Sequence, residues 1–382
     1  MVYTGRSVKL LVALALLLCF CMGQFARAAD PIKIGLQAPI TGPWAYEGEM
    51  ARNCVQIVAD EINKAGGLLG RQVQIALGDD QGSPKQSALV AQRMISDKVV
   101  AVVGSYGSSI TDPASAIYER AGLVNVAYGS TAEKLTEQKR EYFFRTCFRD
   151  DRQGAFFANF ATGVLKAKRV AIIHDNTTFG KGLAEAARRP LLAEKRAELV
   201  FYDAITPGER DFTAILGRMG KTNPDVLYFT GYYSEAGLII RQMRTLGIKA
   251  VFVGGNAAVN DEFVKIAGLS VASGALMTQE PLPTDLDYPE SKAFISEYVR
   301  RHKEPPSSPW PVYAADAFKV ICAAIEATKS TDSKVLMSYL RTGLKDYPGI
   351  TGPISFDAIG DREGAIYLAY EVTAEGNFKP YR

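Results

Sequence analysis

Residues 99–135, VVAVVGSYGSSITDPASAIYERAGLVNVAYGSTAEKL, restrict the possible folds more than any other stretch. A short apolar run at 99–103 bounded by Gly marks a strand covered on both faces, as in a parallel sheet. A helix is predicted over about 112–121, then a second buried strand at 123–127 and another small-residue loop. In such sheets ligands sit just past the carboxyl ends of the strands. The loops there are Gly104-Ser105-Tyr106-Gly107-Ser108-Ser109 and Tyr128-Gly129-Ser130-Thr131. Both offer backbone N–H groups and small hydroxyls and lead toward helix N-termini. They suit a carboxylate or phosphate without any Arg or Lys. Helix capping is the other use of the same residues.

The pattern extends on both sides. Strands at 32–36 and 73–77 alternate with helices at 49–65 and from Ser83-Pro84 to about 97, giving the βαβαβαβ order of a doubly wound parallel sheet. The loop 37–48 holds Trp44, Tyr46 and Glu47. After a charged, aromatic stretch at 137–149 the alternation restarts, with strands at 169–174, 198–204, 226–230 and 250–254. The layout repeats: Gly104, Gly122 and Gly129 are spaced 18 and 7, and Gly231, Gly247 and Gly254 are spaced 16 and 7. The expected architecture is α/β, two doubly wound parallel-sheet lobes whose loop faces meet across a cleft. Polar segments near 147, 278 and 350 are the expected crossings. They place 29–147 with 278–350 in lobe one, and 148–277 with 351–382 in lobe two. Three crossings make a hinge that lets lobes close without separating. Strands at 354–356 and 366–372 are expected to end the chain.

The N-terminus differs in kind. Arg6 and Lys9 precede the apolar run LLVALALLLCFCM, and Ala26-Arg27-Ala28 follows, so residues 1–28 read as a secretory signal peptide. The run is short for a membrane span. Residues 1–28 carry three basic groups and no acid, so their removal takes the formal charge from +3 to zero. That leaves no electrostatic support for nucleic-acid binding. Cys54, Cys147 and Cys322 remain, an odd number, and a Cys54–Cys322 bridge is left open.

No catalytic constellation, cofactor motif or metal spacing stands out. His174 and His302 are the only histidines, and His174-Asp175 is read as orienting a loop. Asp79-Asp80 before Ser83-Pro84 is read as a turn and cap rather than a metal pair.

Several stretches resemble the leucine/isoleucine/valine-binding protein family, periplasmic receptors of ABC importers for hydrophobic amino acids. They include Ile34-Gly35 to Gly42-Pro43, Asp60-Glu61-Ile62-Asn63-Lys64-Ala65-Gly66-Gly67 and Asp79-Asp80 with Pro84-Lys85-Gln86. Ser108 through Pro113-Ala114-Ser115, His174-Asp175 to Ala184, Gly231-Tyr232 to Gln242, and Gly352-Pro353-Ile354-Ser355-Phe356-Asp357 also fit. The resemblance implies a type I periplasmic-binding fold with an interlobe ligand site, no enzymatic activity and no cofactor. It also implies a monomer that delivers a small-molecule ligand to an inner-membrane ABC permease. By this resemblance Ser108, Gly129 and Thr131 receive the ligand's α-carboxylate, with Tyr106 and Ser130 in the same loops. Tyr232 matches a cleft tyrosine, Phe179 stands where another tyrosine would be, and Trp44, Tyr46 or Glu47 contribute from the first loop.

Two departures accompany it. The family's disulfide positions are Gly82 and Gly107, and its acidic partner for the α-ammonium falls at about Asn256. A charge-assisted hydrogen bond contributes about 1.5–3 kcal/mol, so another acid has to serve if an amine is bound. Asp150 is the first expected substitute and Glu47 the second. If neither serves, the ligand is an amine-free aromatic or branched aliphatic carboxylate.

Overall fold

A computed structural model describes residues 30–195 and 197–382. The signal peptide read at 1–28 lies outside the described residues. The first sheet contains β1 (Ile32–Ala38), β2 (Val73–Asp79), β3 (Val102–Val103), β4 (Asn125–Ala127) and β5 (Phe143–Arg145). All pairs are parallel, in the order β2-β1-β3-β4-β5. The second sheet is built from β6 (Arg169–His174), β7 (Glu198–Ala204), β8 (Val226–Thr230), β9 (Val251–Gly254) and β10 (Leu276–Gln279). Its parallel part runs β7-β6-β8-β9-β10, the same winding as the first sheet. Every residue of β8 is buried, as a strand covered on both faces requires.

A small antiparallel hairpin, β11 (Tyr347–Gly349) with β12 (Gly352–Ile354), follows. The chain then adds β13 (Leu368–Val372) and β14 (Phe378–Pro380) antiparallel to the free side of β10. From the sequence the chain ends on strands at 354–356 and 366–372 without an orientation, with no strand expected at 378–380. The hairpin formed by the last two strands is the difference, since a short turn can join strands only in antiparallel fashion.

Other boundaries shift locally. β3 is shorter than 99–103, although Val100 N still donates to Lys33 O and Gly35 N to Ala101 O. The helix expected at 112 begins at Ser108, so the last two residues of the first Gly-Ser loop open its first turn. The helix expected at 49 begins at Ala45, which puts Tyr46 and Glu47 on a helix rather than in a loop.

The long connection after β10 returns to the first sheet. Helix Trp310–Thr328 packs on helix Ala45–Lys64, and β11 packs on helix Trp310–Thr328. Thus β10 carries the second sheet through Gln279, past the expected crossing at 278, and the hairpin β11–β12 straddles the one at 350. Arg145 of β5 is fully buried and ion-paired to Asp361, with Arg149 on the other carboxylate oxygen at 3.1 Å. Cys54, Cys147 and Cys322 are all buried and free, so Cys54 and Cys322 do not pair.

Candidate ligand-binding site between the two sheets

The residues singled out from sequence lie beyond the carboxyl ends of strands. Trp44 and Glu47 follow β1, Tyr106 and Ser108 follow β3, and Gly129, Ser130 and Thr131 follow β4. Asp150 follows β5, Phe179 follows β6, Tyr232 follows β8 and Asn256 follows β9. Contacts between the two sets of loops are direct. The rings of Trp44 and Tyr232 lie 4.0 Å apart centroid to centroid. Tyr106 is 5.7 Å from Trp44 and 5.8 Å from Tyr232, and Phe179 is 5.4 Å from Tyr232. Backbone N–H of Thr178 donates to Ser109 Oγ at 2.9 Å, and Tyr233 OH to Pro43 O at 2.9 Å.

The two loops after β3 and β4 are fastened together. Ser130 Oγ and Thr111 Oγ1 share a hydrogen bond of 2.6 Å, and Ser130 Oγ also reaches Ser105 O at 3.1 Å. Ser108 Oγ accepts from Ala132 N at 3.2 Å. A Cβ at Gly129 would lie 2.7 Å from the Tyr106 carbonyl, so the close approach of the loops needs glycine there. Helix Ser108–Arg120 is capped at Gly107 without a side chain, so the Ser and Thr hydroxyls are not used as its cap. Ser130 is therefore engaged within the protein. The Thr131 hydroxyl, by contrast, is buried and makes no hydrogen bond among the described residues.

Thr131 is one of several such groups. Tyr106 OH, Tyr128 OH, Trp310 Nε1, both carboxylate oxygens of Asp150, Asn256 Oδ1 and Glu280 Oε1 are buried without hydrogen bonds among the described residues. Each buried donor or acceptor left unmatched costs about 1–3 kcal/mol. Such atoms at the strand-end loops and helix starts of the two sheets make this a candidate place for a polar ligand to complete the network.

Asp150 opens helix Asp150–Asn159, and its backbone N–H donates to Thr131 O at 3.1 Å. Gly154 lets this helix lie against helix Thr178–Glu194, since a Cβ there would fall 2.3 Å from the Ala186 carbonyl carbon. The packing brings Asp150 Oδ2 to 3.3 Å from the Cβ position of Gly182. Burial pushes Asp150 up to about 8, with Thr131 and the Arg145 charge pulling down and Glu133 and Glu280 pushing up. The Arg145 guanidinium is engaged by Asp361, Ser130 O, Ala132 O and Thr136.

Glu47, the second expected acid, is not a free acceptor. Its carboxylate takes hydrogen bonds from Asn260 Nδ2 and Ser308 Oγ, both at 2.7 Å. It ties the first helix to the loop after β9. Burial raises its pKa to about 7 against those two bonds.

Glu280, Trp310 and Tyr128, which the sequence analysis does not single out, lie beside the candidate residues. Glu280 is the first residue past β10, at the position equivalent to the other site residues, and a lone acid ending a buried strand was the available signal. Trp310 is 6.1 Å from Tyr106 and Tyr128 is 6.4 Å from it. Trp310 stands in a Pro-rich context, Pro305-Pro306-Ser307-Ser308-Pro309-Trp310-Pro311, that carries no signal pointing to the cleft.

The remaining motifs are structural. Asp79 accepts from Ile40 N and Thr41 N, and Asp80 accepts from Ser105 Oγ at 2.6 Å, so the pair ties loops together. Ser83, not an aspartate, stands at the cap of helix Pro84–Ser96. His174 Nδ1 accepts from Asn176 N at 3.0 Å and orients the loop after β6. Among the described residues no group of three or more His, Cys, Asp or Glu could hold a metal ion, and no helix is long and apolar enough to cross a membrane.

Comparison with known proteins agrees with this fold. A family model described as periplasmic binding protein matches residues 31–376. The Leu/Ile/Val-binding protein BraC3 of Rhizobium johnstonii is 37% identical over 341 residues, covering 89% of this chain and 91% of its own. The leucine binding protein LivK of Thermotoga maritima superposes with a TM-score of 0.86 at 29% identity, covering 92% of this chain and 98% of its own. The branched-chain amino acid transporter substrate binding protein LivJ of Streptococcus pneumoniae, solved with isoleucine, gives 0.82 at 30% identity, covering 91% and 98%. With two wound sheets, a polar and aromatic set between them and these relatives, the chain belongs to the periplasmic binding protein family, among relatives named for leucine, isoleucine and valine.

Proposed function

We propose that this protein is the substrate-binding component of an ABC importer and closes its two lobes on a small hydrophobic amino acid. Thr131, Ser108 and the Gly129 backbone would receive the α-carboxylate. Trp44, Tyr106, Phe179 and Tyr232 would cover the apolar side chain, and Asp150 would meet the α-ammonium. The observation that carries this reading is Asp150: fully buried, with both oxygens unmatched among the described residues. A buried carboxylate in that state is costly unless a cation joins it. An amine-free aromatic or branched carboxylate would leave Asp150 without a cation, and loses its support there. LivJ, solved with isoleucine, and BraC3, named for Leu, Ile and Val, are in line with the amino-acid reading.

Residues 1–28 would direct export to the periplasm. The lobes would divide near 147, 280 and 362, with the closed form recognised by an inner-membrane permease. The protein would act as a monomer without turnover, and burial holds the Cys147 thiol near 12, far from a reactive thiolate.

A thermal-shift panel on refolded, ligand-stripped protein tests the reading. A ligand at 100 times its Kd stabilises the fold by about 2.7 kcal/mol. Leucine, isoleucine, valine or phenylalanine should shift the transition. A shift only with amine-free acids, or conversion of a bound ligand, would overturn it.

A further inference from the structure

Asn256 stands where the resemblance places an acid, and the structure shows what surrounds it. Asn256 follows β9 and Glu280 follows β10, two strands paired in parallel, so both side chains rise from the same edge of the sheet. Asn256 Nδ2 donates to Glu280 Oε2 at 3.3 Å. The other Glu280 oxygen, Oε1, and Asn256 Oδ1 are buried and make no hydrogen bond among the described residues. Glu280 itself is fully buried.

Asp150 is close by. Gln153, one turn along its helix, donates through Nε2 to both the carbonyl and the hydroxyl of Thr278, at 2.9 Å each. Thr278 is two residues before Glu280, and the charges of Asp150 and Glu280 repel each other. No Lys or Arg pairs with either carboxylate among the described residues. Two buried acids that repel each other, neither ion-paired to a Lys or Arg among the described residues, are unfavourable on their own and favourable around a positive group.

We propose that Glu280, set in place by Asn256, is a second ammonium-binding carboxylate, so that the ligand's α-amine is held jointly by Asp150 and Glu280. The acid at this corner of the cleft has then moved from the loop after β9 to the loop after β10, and Asn256 has become its positioning residue. This deepens the amino-acid reading above and rests on it. The ligand class follows: α-amino acids with a free ammonium are accepted, and N-acylated or deaminated analogues of the same shape are rejected.

The test is calorimetric affinity for leucine and for 4-methylpentanoate, its amine-free counterpart, with wild type, Glu280→Gln and Asn256→Ala. Glu280→Gln should weaken leucine roughly ten- to hundredfold, the range of one charge-assisted hydrogen bond. It should leave 4-methylpentanoate unchanged or tighter and should not lower the thermal transition of unliganded protein. Asn256→Ala should weaken leucine by a smaller factor in the same selective way, and it decides the matter if Glu280→Gln does not fold. Equal leucine binding by wild type and variants, or equal losses for both ligands, would overturn the role of Glu280 while leaving the amino-acid reading intact. Wild type preferring 4-methylpentanoate would overturn both.

Discussion

Trp44 and Tyr232 face each other across the two lobes, with ring centroids 4.0 Å apart and planes inclined by 30°. Trp44 holds that position by lying over two glycines. A Cβ at Gly82 would be 2.9 Å from Trp44 Cε3, and one at Gly107 would be 3.0 Å from Trp44 Cζ3 and 2.9 Å from Tyr232 OH. These are the two positions where the resemblance implies a disulfide. A side chain at 82 or 107 would press on the indole, so the bridge that the resemblance implies and this aromatic contact compete for the same space.

Gly107→Ala is accordingly expected to displace Trp44 from Tyr232. Overpacking of this kind costs about 1–3 kcal/mol. Leucine affinity should fall roughly tenfold or more while far-UV circular dichroism is unchanged. Unaltered affinity together with unaltered tryptophan fluorescence would contradict the contact.

Thr131 and Ser130 are neighbours with opposite roles. Thr131→Val removes a hydroxyl that makes no hydrogen bond among the described residues, so it should reduce ligand affinity by about 0.5–1.5 kcal/mol and leave the unliganded transition in place. Ser130→Ala strips a partner from the Thr111 hydroxyl and from two carbonyls, and should lower the unliganded transition by about 1–3 kcal/mol. Titration and thermal denaturation of both variants separate the two effects, and the reverse assignment would refute the account.

Glu47→Ala removes the carboxylate that Asn260 reaches from the second lobe. It should shift the unliganded protein toward open lobes, visible as a larger radius of gyration in X-ray scattering, and the ligand should restore the compact value. A radius unchanged from wild type would show that this bond does not contribute to closure.

Much of the fold could be read directly. Buried apolar runs ending at Gly located the strands, and the Gly spacings of 18 and 7 against 16 and 7 anticipated two sheets wound alike. Helix starts were misplaced at Ser108 and Ala45 because Gly, Ser, Trp and Tyr have weak helix propensity, and packing decided otherwise. In the candidate site, the small-residue loops were visible as chemistry at strand ends, while Asp150 entered as a substitute for the acid that the resemblance implies at Asn256. Ser130 and Glu47 looked equally suitable, since sequence shows which groups a residue carries but not which partners already hold them. Glu280 escaped notice because its value lies in Asn256 beside it, 24 positions earlier in the chain.

The buried acids give the unliganded protein a characteristic pH response. Glu47 and Glu280 are each raised to about 7 and Asp150 to about 8, all by burial first. Between their unfolded values near 4 and these folded values, the native state holds more protons than the unfolded one. The contribution of these groups to stability therefore falls as pH rises through that window and levels off above about 8. Asp150→Asn should flatten the fall and raise the unliganded transition at pH 8, and a steeper fall would contradict the assignment.

The most direct test is the proton balance of leucine binding, measured by titration calorimetry at pH 7 in two buffers of different ionisation enthalpy. An ammonium arriving between Asp150 and Glu280 favours their ionised forms, so the account predicts net proton release on binding and an affinity that increases from pH 6 to pH 8. Proton uptake, or binding with no proton exchange and no pH dependence, would mean that the buried acids do not meet a cation, and would contradict the account.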